Sequence, residues 1–439
     1  MKKVAILGAG FAGLSTAYFL SKKGNYDITI FEKEENPGGL AVGFKKNNWK
    51  WTIEQAYHHL FTSDSYATNM AKELGIGVIF KRPLTTTYTH SAIVQLDSPL
   101  SLLSFPYLKM SSKLRTAATL AFLKFNPYWK PLEKYTAKEW LINYQGIESW
   151  KQLWEPLFSG KFGEYEDDIS MSWFWARIYK RSASLGYIEG GFQHLAEKLT
   201  QYLKNKGVKI YFNTAIHNAV EKDGQWYLDR KNFDVVISTL PMPVFLKVFT
   251  KLPQSYIKKY SKIKHLHALN MLLELKKPFL PPLKNTSDGG QSKGEDSSEV
   301  ERPYWLNIND KSFPFLAVVE HTNFMDKKYY GNNHLLYIGN YLPREHRFFK
   351  MTKTELFKLF KPYLQKINPS YDFNLNALRF ELFVGPFAQP VVTKNYSEIK
   401  PPLTTPIPNL YVGNLDSIYP WDRGTNYAIE LGKKLADLP

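Results

Sequence analysis

The run Val4-Ala-Ile-Leu7 leads directly into Gly8-Ala-Gly10-Phe-Ala-Gly13, and this join constrains the fold more than any other stretch of the chain. Four apolar residues without alternation suit a strand buried on both faces, as in a parallel sheet. Leu14 to Lys23 reads as a helix closed by Gly24, and Asp27 to Phe31 as a second strand ending on Glu32. Each glycine has a physical role. Gly8 permits the tight turn, Gly10 lets the backbone approach a pyrophosphate, and Gly13 lets helix and strand pack closely. The helix start offers unpaired N–H groups to phosphate. Glu32 lies 19 residues after Gly13, in place to hydrogen-bond ribose hydroxyls and to repel a 2′-phosphate. Phe11, Ala12 and Lys33 flank these positions and are assigned to the same dinucleotide. Met1-Lys2-Lys3 before an apolar run imitates a secretory leader, but glycines at phosphate-binding spacing argue against that reading.

The next segment narrows the ligand. Asn36-Pro-Gly38-Gly39-Leu40-Ala-Val-Gly43-Phe44 follows the second strand. With it the chain resembles the flavoprotein superfamily of amine oxidases, protoporphyrinogen oxidase, phytoene-type desaturases and UDP-galactopyranose mutase, whose twin-glycine segment Gly38-Gly39 matches. Further matches are Gly186-Tyr187 with Gly190-Gly191-Phe192 before a helix over His194–Lys204, a strand near Gly207–Ile210, and the apolar run Asp234–Pro241. The resemblance implies FAD as cofactor. It places backbone at Asn213–Val220, including Ile216, against the adenine. It also places Gly413-Asn414 and the helix start Gly424-Thr425-Asn426 toward the ribityl chain and flavin. Many relatives have Gly-Asp where this chain has Gly413-Asn414, and Asp416 is a nearby substitute.

The fold class implied is α/β: a Rossmann-type FAD-binding domain, glutathione-reductase-2-like, interleaved with a mixed α+β substrate domain. Residues 1–85, 185–245 and 395–439 are assigned to the first, and 86–184 and 246–394 to the second. The polar stretch 284–301 reads as a flexible surface loop. Leu100 to Phe125 reads as a substrate-domain helix with its apolar side in the core, the alternative being an amphipathic patch resting on a membrane.

The stretch Glu54 to Asp64, with Tyr57, His58 and His59 at its centre, is the most unusual polar cluster, in a region the resemblance puts beside the flavin. Either histidine suits a proton relay or a diphosphate contact. Tyr57, His58, His59 and Arg423 are therefore the candidate catalytic residues, Arg423 as an anion clamp. Asp422 reads either as a catalytic group or as the N-cap of the last helix. Trp173-Phe-Trp175-Ala-Arg177 reads as packing or as cavity lining. No third ligand accompanies the histidine pair at a metal-binding spacing, so no metal is expected.

Composition excludes several classes. The 439 residues contain no cysteine, which removes thiolate catalysis, disulfides and Cys-based clusters. The net charge of +17 favours anionic partners, but no compact basic block indicates nucleic acid. A cytoplasmic location, with contact at a membrane periphery as an option, and a small apolar or anionic substrate are expected. The leading activity is that of an FAD-dependent oxidoreductase taking a hydride onto flavin N5. A flavin-dependent isomerase like UDP-galactopyranose mutase and a non-catalytic binding protein on the same fold are the alternatives.

Overall fold

The computed structural model describes residues 1–229, 231–283 and 301–439. The stretch expected to be a flexible loop, 284–301, lies outside the described residues except for Glu301.

The strand Lys2–Leu7 occupies the centre of a parallel sheet, and Val4 to Leu7 are all buried, as a strand covered on both faces requires. Among the described residues this sheet has five strands, in the order Lys209–Tyr211, Tyr26–Phe31, Lys2–Leu7, Val235–Ser238 and Leu410–Val412, every pairing parallel. From the central strand the chain builds outward on one side and then crosses to the other. That reversal opens a crevice at the carboxyl ends of the strands, where α/β sheets bind ligands. Gly8, Glu32, Thr239 and Gly413 each follow the last residue of a strand on this edge.

The helix Phe11–Lys23 ends at Gly24, which takes the left-handed conformation with φ of 77°. It packs against the helix Thr425–Ala436. A Cβ on Gly432 would lie 2.6 Å from Ser15 Cβ and 2.7 Å from the Ala12 carbonyl oxygen, so the two backbones cross closer than any side chain allows.

Among the described residues a second sheet has seven strands, in the order Ala377–Pro390, His265–Leu275, His334–Leu342, Ala317–Glu320, Pro303–Ile308, Leu84–Thr89 and Ala92–Gln95. Pro303–Ile308 pairs parallel with Leu84–Thr89, and the other ladders are antiparallel. Strand alternation divides its side chains between two cores. Leu336 and Ile338 pack with Leu356, Phe360 and Leu364 of the helix Lys353–Ile367. Leu335 and Tyr337 join the core around Leu14 and Phe192, which links this sheet to the first.

The helices Ala137–Gln145, Glu155–Phe162 and Met171–Lys180 surround a third core of Trp150, Phe158, Trp173 and Trp175. Beside them the stretch 100–125 departs from expectation. It forms two helices, Pro99–Leu103 and Met110–Phe125, and the second turns its bulky apolar residues outward. Met110, Leu114, Phe122 and Phe125 are 58%, 57%, 53% and 82% exposed. Its inward side is largely polar and finds local partners. Lys113 Nζ donates to the Leu103 carbonyl at 2.7 Å, and Thr116 Oγ1 donates to Ser149 Oγ at 2.8 Å. Those hydrogen bonds satisfy the buried polar groups, so this face can be buried without an apolar surface.

Candidate active site

The glycine-rich turn holds its geometry through short-range contacts. Gly8 has a φ of 103°, open to glycine and costly for other residues. Its N–H donates to the Phe31 carbonyl at 2.8 Å. A Cβ on Gly13 would lie 2.0 Å from the Gly8 carbonyl oxygen, so Gly13 lets the helix sit on the turn. Gly38 N–H donates to the Ala9 carbonyl at 2.9 Å, which brings the twin glycines onto the same turn. Gly39 has a φ of 60°, and a Cβ there would lie 3.0 Å from Gly10 Cα. Backbone therefore meets backbone at Gly10 and Gly39, with no side chain from either position in the crevice.

Glu32 is buried at the end of its strand. One carboxylate oxygen accepts the Ala9 N–H at 2.7 Å and the other accepts the Glu34 N–H at 3.0 Å. Each oxygen keeps a second lone pair, so the carboxylate can still accept a hydroxyl. The Glu32 carbonyl accepts the Thr214 N–H at 2.8 Å, which leads the stretch containing Ile216 past the same edge. Ile216 itself is buried with Leu7 and Phe31. Phe11 is buried and Ala12 half-buried at the helix start, while Lys33 points outward and pairs with Glu34.

The last helix packs on the helix that follows the glycine-rich turn. Gly424 is its N-cap, and neither this helix nor Phe11–Lys23 has a side chain capping its first N–H groups. Thr425 is buried, and Asn426 Oδ1 accepts the Ala67 N–H at 3.1 Å. A Cβ on Gly413 would lie 2.8 Å from Leu435 Cδ1. Asn414 donates to the Leu240 carbonyl at 2.9 Å and accepts the Asp416 N–H at 3.0 Å. Asp416, considered as a stand-in for the acid absent at 414, is instead bonded to His265 Nε2 at 2.8 Å, deep in the protein. The two uncapped helix starts, the glycine cradle and the buried Glu32 carboxylate fit the phosphates, backbone contacts and ribose of FAD.

Tyr57, His58 and His59 lie in the loop that runs into the short strand Leu60–Phe61. Tyr57 packs on Gly339, where a Cβ would lie 2.6 Å from its Cε1, and it meets Trp305 edge-on at 4.8 Å. His58 Nδ1 bonds the Ala56 carbonyl at 2.7 Å and its ring tilts against Phe192. His59 faces Phe61, Tyr304 and Trp305, and its Nδ1 is buried without a hydrogen-bond partner. Burial lowers His58 to about 4, with Arg423 adding to the effect. Burial lowers His59 to about 3, assisted by Arg181, His58, Arg177 and Arg423. Both rings are neutral at pH 7, so each offers a hydrogen-bond donor or acceptor but no positive charge.

Arg423 donates to the Tyr341 hydroxyl and, at 3.3 Å, to the Ala388 carbonyl; its guanidinium sits 4.3 Å over the Tyr341 ring. Asp422 is not the N-cap of the last helix. It pairs with Arg177 at 2.5 Å and accepts Trp173 Nε1–H at 3.2 Å. Trp173 thus both packs in the third core and reaches the cleft it shares with Gln389, Trp421, Asp422 and Arg423. Spacing gave no sign of Lys161 and Tyr341, which meet beside Trp173 from a helix and a sheet far apart in sequence.

Glu54, at the head of the same polar cluster, is placed away from solvent, which its sequence neighbours do not foretell. It is fully buried and accepts from the Tyr187 hydroxyl at 2.8 Å and from the Phe192 N–H at 2.7 Å. Burial raises it to about 7, against the lowering effect of those two donors. Among the described residues no group of three or more His, Asp or Glu is placed to hold a metal ion.

A parallel dinucleotide-type sheet, a glycine cradle, two bare helix starts and an adjoining aromatic cleft under a mixed sheet define a flavoenzyme-like architecture. Residues 11–438 match the family described as flavin containing amine oxidoreductase, and the chain belongs to that family. FAD is the cofactor of the class and oxidoreduction its chemistry. The chain is 26% identical to coproporphyrinogen III oxidase of Staphylococcus aureus (strain NCTC 8325 / PS 47) over 57% of this chain and 63% of that protein. It therefore spans less than two thirds of that relative's length. An oxidoreductase structure from Methanosarcina mazei superposes with a TM-score of 0.72 at 17% identity, covering 99% of this chain and 100% of that one. Cyclohexylamine oxidase from Brevibacterium oxydans IH-35A does so with a TM-score of 0.72 at 13% identity, covering 99% and 98%. These likenesses establish the fold.

Proposed function

We propose that this chain is an FAD-dependent oxidoreductase whose substrate occupies the aromatic cleft between Tyr57, Trp173, Tyr341 and Arg423. When bound, FAD supplies the acceptor for a hydride, at its N5 atom. The carrying observation is that the Gly10–Gly39 backbone contact and the bare start at Gly424, one residue along the chain from Arg423, belong to two helices packed directly on each other. In this reading Glu32 holds the ribose, Gly8, Gly10 and Gly13 admit the pyrophosphate, and Gly38, Gly39 and Leu40 pass close to the cofactor. The N–H groups at Thr425 and Asn426 meet negative charge on the ring system. Neutral His58 and His59 orient groups by hydrogen bonding, and Tyr57 forms a wall. Residues 1–85, 185–245 and 395–439 form the FAD-binding unit, and 86–184 and 246–394 the substrate unit. The location of all five parallel strands within the first set supports that division.

The test begins with the visible spectrum and flavin content of the purified protein, followed by anaerobic addition of oxidisable substrates. Bleaching of the flavin by substrate supports the reading. Absence of bound FAD would overturn it, and turnover requiring pre-reduced flavin without net electron transfer would point to isomerisation instead.

We also infer contact with an anionic membrane surface through the outward side of Met110–Phe125. Among the described residues no helix is long and apolar enough to cross a membrane. The exposed Leu100, Met110, Leu114, Phe122, Phe125 and Tyr128 fall within residues 98–132, a stretch with no acid in which Lys109, Arg115, Lys124 and Lys130 stay outside the core and only Lys113 is buried. An apolar stripe with a basic rim is what an interfacial helix presents to lipid.

A further inference from the structure

The side chains gathered around Trp173 carry more positive charge than their own contacts use. Lys161 sits on the helix Glu155–Phe162 and is 7% exposed. Its ammonium lies 4.8 Å from the centre of the Trp173 ring, 5.2 Å from that of Tyr341 and 5.6 Å from that of Phe162. Among the described residues, no acceptor lies within hydrogen-bond distance of it. Arg177 lies 5.0 Å over the Trp173 ring, and Arg423 lies 4.3 Å over the Tyr341 ring. The acid facing these three cations is Asp422, and both its oxygens are already engaged, by Arg177 and by Trp173.

Electrostatics follows this count. Burial pushes the Asp422 carboxyl up, yet Lys161, Arg177 and Arg423 together hold it down to about 2. Burial drives Lys161 well below its ordinary value, and Arg177 and Arg423 add to that while Asp422 opposes it. An ammonium held among rings without an anion is costly to bury. A carboxylate entering beside Trp173 would give the Lys161 ammonium the acceptor it lacks, so the exchange favours binding. A protonated amine would meet an excess of like charge at short range and be disfavoured.

Building on the proposed function, we propose that the substrate of this cleft is an anion, a molecule with an unsaturated or aromatic body and a carboxylate that Lys161 receives beside Arg177 and Arg423. The aromatic walls of Trp173, Tyr341 and Tyr57 accommodate the body, and the cations fix its charged end. The assignment separates this chain from enzymes that receive a cationic amine, although its family is described by that chemistry.

Benzoate and benzylammonium form a matched pair of probes, alike in ring and opposite in charge. Each is titrated into the flavin-loaded protein and followed by perturbation of the flavin absorbance and of tryptophan fluorescence, the latter reporting on Trp173. Benzoate should bind at least about tenfold more tightly than benzylammonium. Lys161→Gln should weaken benzoate about tenfold, while Lys161→Arg stays within about threefold of the parent. Flavin content should be unchanged in both variants. Equal binding of the two probes, tighter binding of benzylammonium, or no binding of benzoate overturns the proposal in the unaltered protein, whether or not a variant folds. Loss of FAD from a folded Lys161→Gln protein also overturns it, because the cations would then serve the cofactor. A chain that binds no FAD at all would refute the functional reading, whereas a flavin-loaded chain indifferent to charge would refute only the anion.

Discussion

Replacing Glu54 by Gln tests whether burial keeps a carboxyl protonated at the joint between Thr52–Glu54 and the helix Phe192–Asn205. The substitution keeps size and shape. A Gln carbonyl can still accept the Phe192 N–H, and its amide can face the Tyr187 hydroxyl. It removes the ionisation. Folding raises Glu54 from 4.5 to about 7. The folded state therefore holds this proton more tightly than the unfolded chain. Its contribution is fully present below pH 4.5 and is lost as pH rises through about 7. A shift of that size corresponds to roughly 3 kcal/mol. Glu320 is a second fully buried carboxyl raised to about 7, so the raw pH curve of the parent contains both groups. The difference between parent and Glu54→Gln isolates the first. Urea midpoints at pH 5, 6, 7 and 8, with flavin content matched, should show the parent losing stability relative to the variant by roughly 2 kcal/mol or a little more across that range, the remainder of the shift being lost already below pH 5. The difference should flatten above pH 7.5 or so. A difference that does not change with pH, or one that moves in the parent's favour as pH rises, refutes the argument that burial dominates at this carboxyl.

Two further outcomes are expected. Gly39→Ala places a Cβ 3.0 Å from Gly10 Cα on a backbone with a φ of 60°, and should weaken FAD retention about tenfold or more, read as flavin remaining after dialysis. Changing Leu114, Phe122 and Phe125 together to Ser should lower co-sedimentation with phosphatidylglycerol vesicles about tenfold while leaving the flavin spectrum unchanged, and undiminished binding would remove that helix from the lipid contact.

The parts of the fold legible in the sequence are those whose signal is local. Gly8 to Gly13, Gly38-Gly39 and the helix ends at Gly24 and Gly424 advertise themselves because a turn or a bare helix start requires glycine within a few residues. The expected apolar core face of Leu100–Phe125 failed because Lys113, Thr116 and Thr119 bury by hydrogen bonding, which hydrophobic periodicity does not register. Asp422 looked like an N-cap from its place just before a helix, yet Arg177 and Trp173, 245 and 249 residues away, capture its carboxylate first. Lys161 and Tyr341 were illegible for the same reason. They meet through packing of a helix on a sheet, and no spacing in the chain records that approach. Glu54 stood inside the polar cluster around His58, but its burial depends on Tyr187 and Phe192 arriving from elsewhere.

The crossing at Gly432 also bears on how such a chain is made. The cofactor crevice needs Lys2–Leu7, Val235–Ser238 and Leu410–Val412 side by side, with the helix Thr425–Ala436 lying against Phe11–Lys23. During synthesis the first βαβ unit emerges early and must wait for partners more than 200 residues downstream, as the pairing of Val4 with Val235 shows. Parallel pairing across such distances is slow, and the waiting edge is prone to wrong association. A nascent chain arrested before residue 425 would carry the complete glycine motif and still lack the helix that covers it. Flavin capture then waits for residues 425–436 to emerge and pack on the helix Phe11–Lys23.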